Sequence, residues 1–210
     1  MKRVFNILAR NAVAPIFGVL ICAVVVFSAS RPARAEHLGP TEFIADLGER
    51  AVRAMGDQTI SLTEKNSRFR ALLLEGFDLK TLSRFAVGRY WRTAGETQRA
   101  EYRELFTDYI VQTYASRFGQ YSGERLQVSD GRVVGKRDIL VKSQLLRPNG
   151  AAVKIEWRVR QRGHKWLILD IIVEGVSMAI TQRDEFASVI RRGGGDFSNL
   201  LTLLKEKTGS

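Results

Sequence analysis

The chain has 210 residues, 33 Lys and Arg against 22 Asp and Glu, a formal charge of +11, two histidines and one cysteine. So few histidines and cysteines exclude a disulfide framework and thiolate metal centres. The basic balance leaves nucleic acid, anionic lipid surfaces or acidic proteins to be weighed as partners.

The N-terminus decides among them. Lys2, Arg3 and Arg10 precede an apolar run from about Ala12 to Ala29, and Ala33-Arg34-Ala35 stands just before Glu36. This pattern predicts a secretory signal peptide over residues 1–35. The run is also long enough for a membrane anchor, but Pro15 and the Ala-x-Ala site favour cleavage. Cys22 follows Leu20-Ile21 rather than the small residue of a lipobox. The expected mature chain, residues 36–210, is a single cysteine-free domain with room for a sizeable core. Losing Lys2, Arg3, Arg10, Arg31 and Arg34 takes the charge from +11 to +6. Export argues for no nucleic acid partner. Anionic lipid or acidic protein remains, beside ordinary solubilising charge.

In chain order, a first helix capped by Thr41 or Asp46 carries Phe43, Ile44, Leu47, Ala51 and Met55 at helical spacing and ends at Gly56-Asp57. A second runs from about Ser61 to Glu75, broken by Gly76. Asp78 caps a short helix through Leu82 and Phe85, interrupted by Gly88. A long helix is predicted over Thr97–Gln120. Its apolar face (Tyr102, Leu105, Phe106, Tyr109, Ile110, Thr113, Tyr114, Phe118) is broader than a surface helix needs.

The period then changes from 3.6 to 2. A short strand at Leu126–Ser129 is followed by the alternation of Ile139, Val141, Ser143 and Leu145. Next, Val153, Ile155, Trp157 and Val159 alternate with Lys154, Glu156, Arg158 and Arg160. Pro148-Asn149-Gly150 and Arg162-Gly163-His164 mark hairpin turns. Trp166–Val173 forms a buried strand stopped by Gly175. Two helices, about Ala179–Arg191 and Asp196–Lys205, close the chain around Gly193-Gly194-Gly195. The order predicts an α+β fold, a curved antiparallel sheet of about four strands packed against several helices.

Candidate chemistry is sparse. Ser177 follows Gly175 but lacks the second glycine of a nucleophile elbow, and the histidines, His37 and His164, sit at exposed positions. Ser177 is better explained as an N-cap. Asp170 and Glu174 lie roughly 13 Å apart on a strand, too far for either glycosidase geometry; hydrogen bonding or pairing with an arginine is expected instead. Neither metal nor cofactor is predicted. Gly193-Gly194-Gly195 follows a helix, so it is no dinucleotide loop. Arg89-Tyr90-Trp91-Arg92 suits a membrane-facing rim or a packed aromatic beside solvated arginines.

Three segments carry a resemblance: Phe85-Ala86-Val87-Gly88-Arg89-Tyr90-Trp91, Gln98-Arg99-Ala100-Glu101-Tyr102 leading to Phe106, and Asp170 followed by Glu174-Gly175-Val176-Ser177-Met178. In this order, over about Thr41–Lys207, the chain resembles the MlaC/Ttg2D family of periplasmic lipid-binding proteins. Gly88–Arg92 and Arg183–Ile190 are similar to its hopanoid-associated HpnM branch. The resemblance implies an NTF2-like arrangement enclosing an apolar lipid cavity, with no enzymatic step. It implies a phospholipid or hopanoid as ligand. The implied partners are an inner-membrane ABC transporter complex with an MCE-type subunit and an outer-membrane lipoprotein complex. The lining expected on this basis is Phe85, Phe106, Tyr109, Ile110, Tyr114, Val141, Ile155, Trp157, Leu169, Ile171 and Val173. Arg89, Arg92 and Arg158 are expected to contact a headgroup or partner. The competing readings are a hydrolase acting on lipid or glycan through Asp170, Glu174 and Ser177, and an adaptor that holds no ligand.

Overall fold

The structure, a computed structural model, describes residues 38–57, 59–115 and 123–209. The expected signal peptide, its cleavage site, Cys22, His37 and the stretch 116–120 of the long helix lie outside the described residues.

Helix α1 (Pro40–Gly56) starts ahead of both expected caps. Gly39 is its N-cap and Pro40 its first residue, so Thr41 and Asp46 fall inside the helix. Proline suits that position because its missing N–H would find no helical partner there. Helix α2 (Leu62–Gly76) is capped by Ser61, whose hydroxyl accepts from the Glu64 amide at 3.2 Å. Asp78 caps α3 (Leu79–Val87) through the Thr81 amide at 3.0 Å. A 3-10 turn, Gly88–Trp91, leads to α4 (Glu96–Ala115).

Five strands follow: β1 (Arg125–Val134), β2 (Asp138–Leu146), β3 (Val153–Arg162), β4 (Lys165–Val173) and β5 (Val176–Ser177). They pair antiparallel in chain order, an open meander with β1 and β5 at its edges. The fifth strand is only two residues long; Glu174 and Gly175, both at positive φ, turn β4 into it. Bulges bend the sheet. In β1, Ser129 and Asp130 intervene between the pairs Val128–Ser143 and Gly131–Val141. In β4, Leu169 is the extra residue between Asp170, paired with Arg158, and Ile168, paired with Val159. Such insertions increase local twist and re-aim the neighbouring side chains. Helices α5 (Met178–Arg192) and α6 (Ser198–Thr208) complete the chain.

The buried apolar residues form two clusters rather than one. The first joins α3 to α6 around Tyr102, which is fully buried, donates to the Ser83 carbonyl at 2.9 Å and meets Trp91, Phe106, Phe186 and Phe197 edge-on or tilted. Burial pushes its phenol pKa well up. The second sets α1 and α2 on the sheet through Ile44, Leu47, Leu72, Val141, Val159 and Ile168. Glycines let α1 sit close: an added Cβ on Gly48 would lie 2.4 Å from Leu126 Cδ2, and one on Gly76 2.6 Å from Leu47 Cδ2.

Candidate functional site

Between the two clusters lies a cavity of about 590 Å³. Helix α1 contributes Ile44, Leu47, Gly48, Ala51 and Val52, and α2 contributes Phe69, Leu72 and Leu73, with Phe77 after it. Helix α3 supplies Leu79, Leu82 and Ala86, and α4 supplies Phe106, Ile110 and Tyr114. The sheet adds Leu126, Leu145, Ile155, Trp157, Ile171 and Val173, and α5 adds Met178 and Ala179. The wall is apolar apart from Asp170, Gln182 and the hydroxyl of Tyr114.

Exposure is graded along it. Ile44, Leu47, Leu72, Leu73, Ala86 and Phe106 are buried, whereas Ala51, Val52, Tyr114, Leu126, Leu145, Ile155, Val173 and Met178 are half-buried. The register places Leu126 opposite Leu145, and Ile155 opposite Val173, at the end of the sheet where β1 and β3 begin and β2 and β4 end. The lining is therefore more exposed at those strand termini than at Ile44, Leu47, Leu72, Leu73, Ala86 and Phe106.

Two hydrogen-bond systems fix the walls. Trp157 donates its indole N–H to Ser143 Oγ at 2.8 Å, and Ser143 donates to the Ile155 carbonyl at 3.1 Å, so the ring's one polar atom is satisfied away from the apolar space. Asp170 accepts from the Ser177 hydroxyl at 2.6 Å and from the Ala179 amide at 3.0 Å, at the N-terminus of α5 where the helix dipole favours an anion. Asp78 anchors a third corner. Its carboxylate meets Arg162 at 2.9 Å, and its backbone N–H donates to the Ile168 carbonyl at 3.0 Å. Burial raises the Asp78 pKa, but the Thr81 and Arg162 hydrogen bonds outweigh it and hold the group below the ordinary carboxylate value.

Of the residues expected to line a cavity, Phe106, Ile110, Tyr114, Ile155, Trp157, Ile171 and Val173 do so. Four are placed elsewhere. Tyr109 packs on the helical cluster, 5.7 Å from the Phe186 ring, because the broad face of α4 serves a core and a cavity on different sides. Val141 is fully buried in the cluster under α1 and α2. Leu169 is the bulged residue of β4, displaced from the alternation that would have aimed it inward. Phe85 lies at the surface beneath the Arg183 guanidinium.

Arg89 and Arg92 are exposed around the 3-10 turn, and Arg158 is exposed on β3. The expected arginine partners of Asp170 and Glu174 are replaced by Ser177 and Ala179 and, for Glu174, by the Lys154 amide at 2.6 Å. Ser177 caps α5 by accepting from Ile180 at 3.1 Å. Its hydroxyl is engaged in helix capping, and His164 sits in the β3–β4 turn. No cluster of three or more metal-ligating side chains occurs among the described residues, and no helix among them is long and apolar enough to cross a membrane.

Sequence reasoning missed the whole contribution of α1 and α2. Their apolar spacing predicts burial, but it does not say whether the buried face meets side chains or space. Gly48 and Ala51 on the apolar side of α1 were the available signal, since small residues there leave room.

The sequence model of the MlaC protein family matches residues 46–206. The intermembrane phospholipid transport system binding protein MlaC of Haemophilus influenzae is 22% identical over 138 residues, 64% of each chain. The toluene tolerance protein ttg2D of Pseudomonas putida is 23% identical over 113 residues, 54% of this chain and 53% of that one. The chain thus spans just under two thirds of the first relative's length and about half of the second's. A phospholipid-binding protein from Ralstonia solanacearum, solved in complex with a phospholipid, has the same fold. Its TM-score is 0.73 at 21% identity, over 82% of this chain and 98% of that one.

Proposed function

The chain belongs to the MlaC family, and from that premise we propose that it is a phospholipid-binding transport protein whose cavity holds acyl chains. The observation that carries the reading is the apolar space of about 590 Å³ between two separately packed cores. Its size falls within the usual range for ligand sites. Withdrawing an acyl chain from water gains about 0.8 kcal/mol per methylene, so a lipid crossing an aqueous compartment needs a sheath and no reacting group. The buried part of the lining takes the chain ends, and the more exposed strand termini leave the headgroup near water. Phe106, Ile110, Tyr114, Ile155, Trp157, Ile171 and Val173 contact the chains, joined by Leu47, Ala51, Phe69 and Leu72 from α1 and α2.

On this reading residues 1–35 are a cleavable export signal, residues 36–210 are one lipid-binding domain, and the protein works in the periplasm. It passes lipid between an inner-membrane ABC transporter complex with an MCE-type subunit and an outer-membrane lipoprotein complex. The names of the Haemophilus and Pseudomonas relatives support a transport role, and the lipid-bound Ralstonia structure supports the cavity as the site. Asp170 and Ser177, engaged with each other and with the α5 backbone, act in positioning that helix rather than in hydrolysis.

The test is native mass spectrometry of protein purified without detergent, with extraction of whatever is bound. Intact phospholipid released from a discrete complex is the expected result. Lyso-lipid or free fatty acid would turn the reading toward hydrolysis, and an empty protein after exposure to phospholipid vesicles would remove it.

A further inference from the structure

Away from the cavity wall, one face of the described residues concentrates positive charge. From Leu79 to Arg103 the chain carries Lys80 and five arginines (Arg84, Arg89, Arg92, Arg99 and Arg103) against Glu96 and Glu101. Glu101 is engaged by Lys205 at 2.6 Å. Arg183 of α5 joins this face. None of the six arginines pairs with a carboxylate among the described residues.

Most of them are held by aromatic rings instead. Arg99 and Arg103 both lie over Trp91, at 5.3 and 5.0 Å, and Arg99 also donates to the Trp91 carbonyl at 2.9 Å. Arg89 lies over Tyr90 at 5.0 Å, and Arg183 over Phe85 at 5.1 Å. Gly88, at φ +53°, joins the two halves; a Cβ there would stand 3.1 Å from Arg183 Nε. A guanidinium laid on a ring is ordered in advance and keeps N–H donors for an oxyanion.

Exposed apolar residues adjoin this array. Ile180, 53% exposed, is one helical turn from Arg183, and Val176, 54% exposed, precedes the α5 cap. Met178 and Ala179, between them, line the cavity. Phe85 is itself 37% exposed. Of the acids that follow on α5, Glu185 accepts from Gln182 and Asp184 is exposed.

We propose that this arginine-and-aromatic face, with Val176 and Ile180, is a docking surface for an anionic bilayer. The guanidinium groups take lipid phosphates, and the two aliphatic side chains enter the interfacial layer. Together they set the α5 end of the cavity against the membrane. Guanidinium groups beside exposed aliphatic side chains match the two layers of an anionic membrane interface, phosphate outside and acyl carbon within. The docking does not depend on what the cavity holds.

The experiment is cosedimentation with vesicles of phosphatidylglycerol and phosphatidylcholine in equal parts, and of phosphatidylcholine alone, at low salt. Protein is expected on the anionic vesicles only. Arg92→Glu with Arg103→Glu is expected to lower the bound fraction about tenfold, and Ile180→Asp to weaken it with the arginines intact. Arg191→Glu with Arg192→Glu, two turns farther along α5, retains binding. Circular dichroism melts establish that each variant folds, and lipid extraction reports cavity content separately. Absence of binding to the anionic vesicles overturns the proposal. Equal loss with the Arg191 and Arg192 pair also overturns it, leaving net charge as the cause. Capture by immobilised polyglutamate that displaces the vesicles, is lost in the Arg92 and Arg103 variant and is indifferent to Ile180→Asp overturns it in favour of an acidic protein.

Discussion

The Ser177 hydroxyl donates to the Asp170 carboxylate at 2.6 Å while accepting from the Ile180 amide at 3.1 Å, so one side chain joins the end of the sheet to the start of α5. Ser177→Ala removes the cap and one of the two protein donors to a buried carboxylate. A loss of about 1–2 kcal/mol is expected in denaturant unfolding, with bound lipid unchanged. Lipid content that falls in a fully folded variant would give Ser177 a role beyond capping.

Val141 and Ala51 separate core from cavity. Val141 is fully enclosed between α1, α2 and the sheet, so Val141→Glu buries an unpaired carboxylate. It is expected to cost more than about 4 kcal/mol and to yield little folded protein. Ala51, half-buried at the edge of the same cluster, also lines the cavity. Ala51→Trp is expected to fold with a melting temperature close to the parent and to carry several-fold less extractable lipid. Full lipid content in Ala51→Trp would mean that the acyl chains do not reach the α1 wall.

Of the tryptophans, Trp157 alone lines the cavity. Trp91 sits between arginines, and Trp166 donates to the Leu38 carbonyl at 3.0 Å. Brominated phospholipid is expected to quench the parent's fluorescence. Most of that quenching should be lost in Trp157→Phe and kept in Trp91→Phe and Trp166→Phe. Undiminished quenching in Trp157→Phe would place the acyl chains elsewhere.

Asp78 predicts an acid-labile joint. Its folded pKa is below the unfolded value, so its ionised form is the one the fold binds. That contribution is complete above the unfolded pKa, about 3.9, and is lost as pH falls through the lower folded one. Arg162→Ala is expected to weaken the α3–β3 tie by about 1–2 kcal/mol at neutral pH and to move acid unfolding to higher pH. An unchanged acid midpoint would show that other carboxylates set it.

Much of this architecture was legible in the chain. The caps at Asp78 and Ser177 were readable because a short polar side chain before an apolar-periodic run has few other uses, and Ser61, read only as the approximate start of its helix, proves to be its cap as well. The meander was readable because β-branched alternation between glycine-bearing turns admits little else. Cavity and core were not separable, since Ile110 and Tyr109 are neighbours with equal claims to burial: both pack on the helical cluster, and only Ile110 also reaches the cavity. Leu169 was misplaced because a bulge leaves no composition mark here, and the apolar run around it, Leu167-Ile168 before and Ile171-Ile172-Val173 after Asp170, conceals the lost step in alternation. The start of α1 was misread because Thr41 is a good cap by type, whereas Pro40 settles the start by geometry.

The division of the buried apolar residues into two clusters has a thermodynamic consequence. The interior between them is surface that the fold shapes but does not fill, so an apolar guest completes it as a removable third core. Stability then becomes a function of guest concentration, rising as RT ln(1 + [L]/Kd) when only the folded chain binds. The emptied protein is the weaker partner in any exchange, and its own drive to regain a filled interior favours the next uptake.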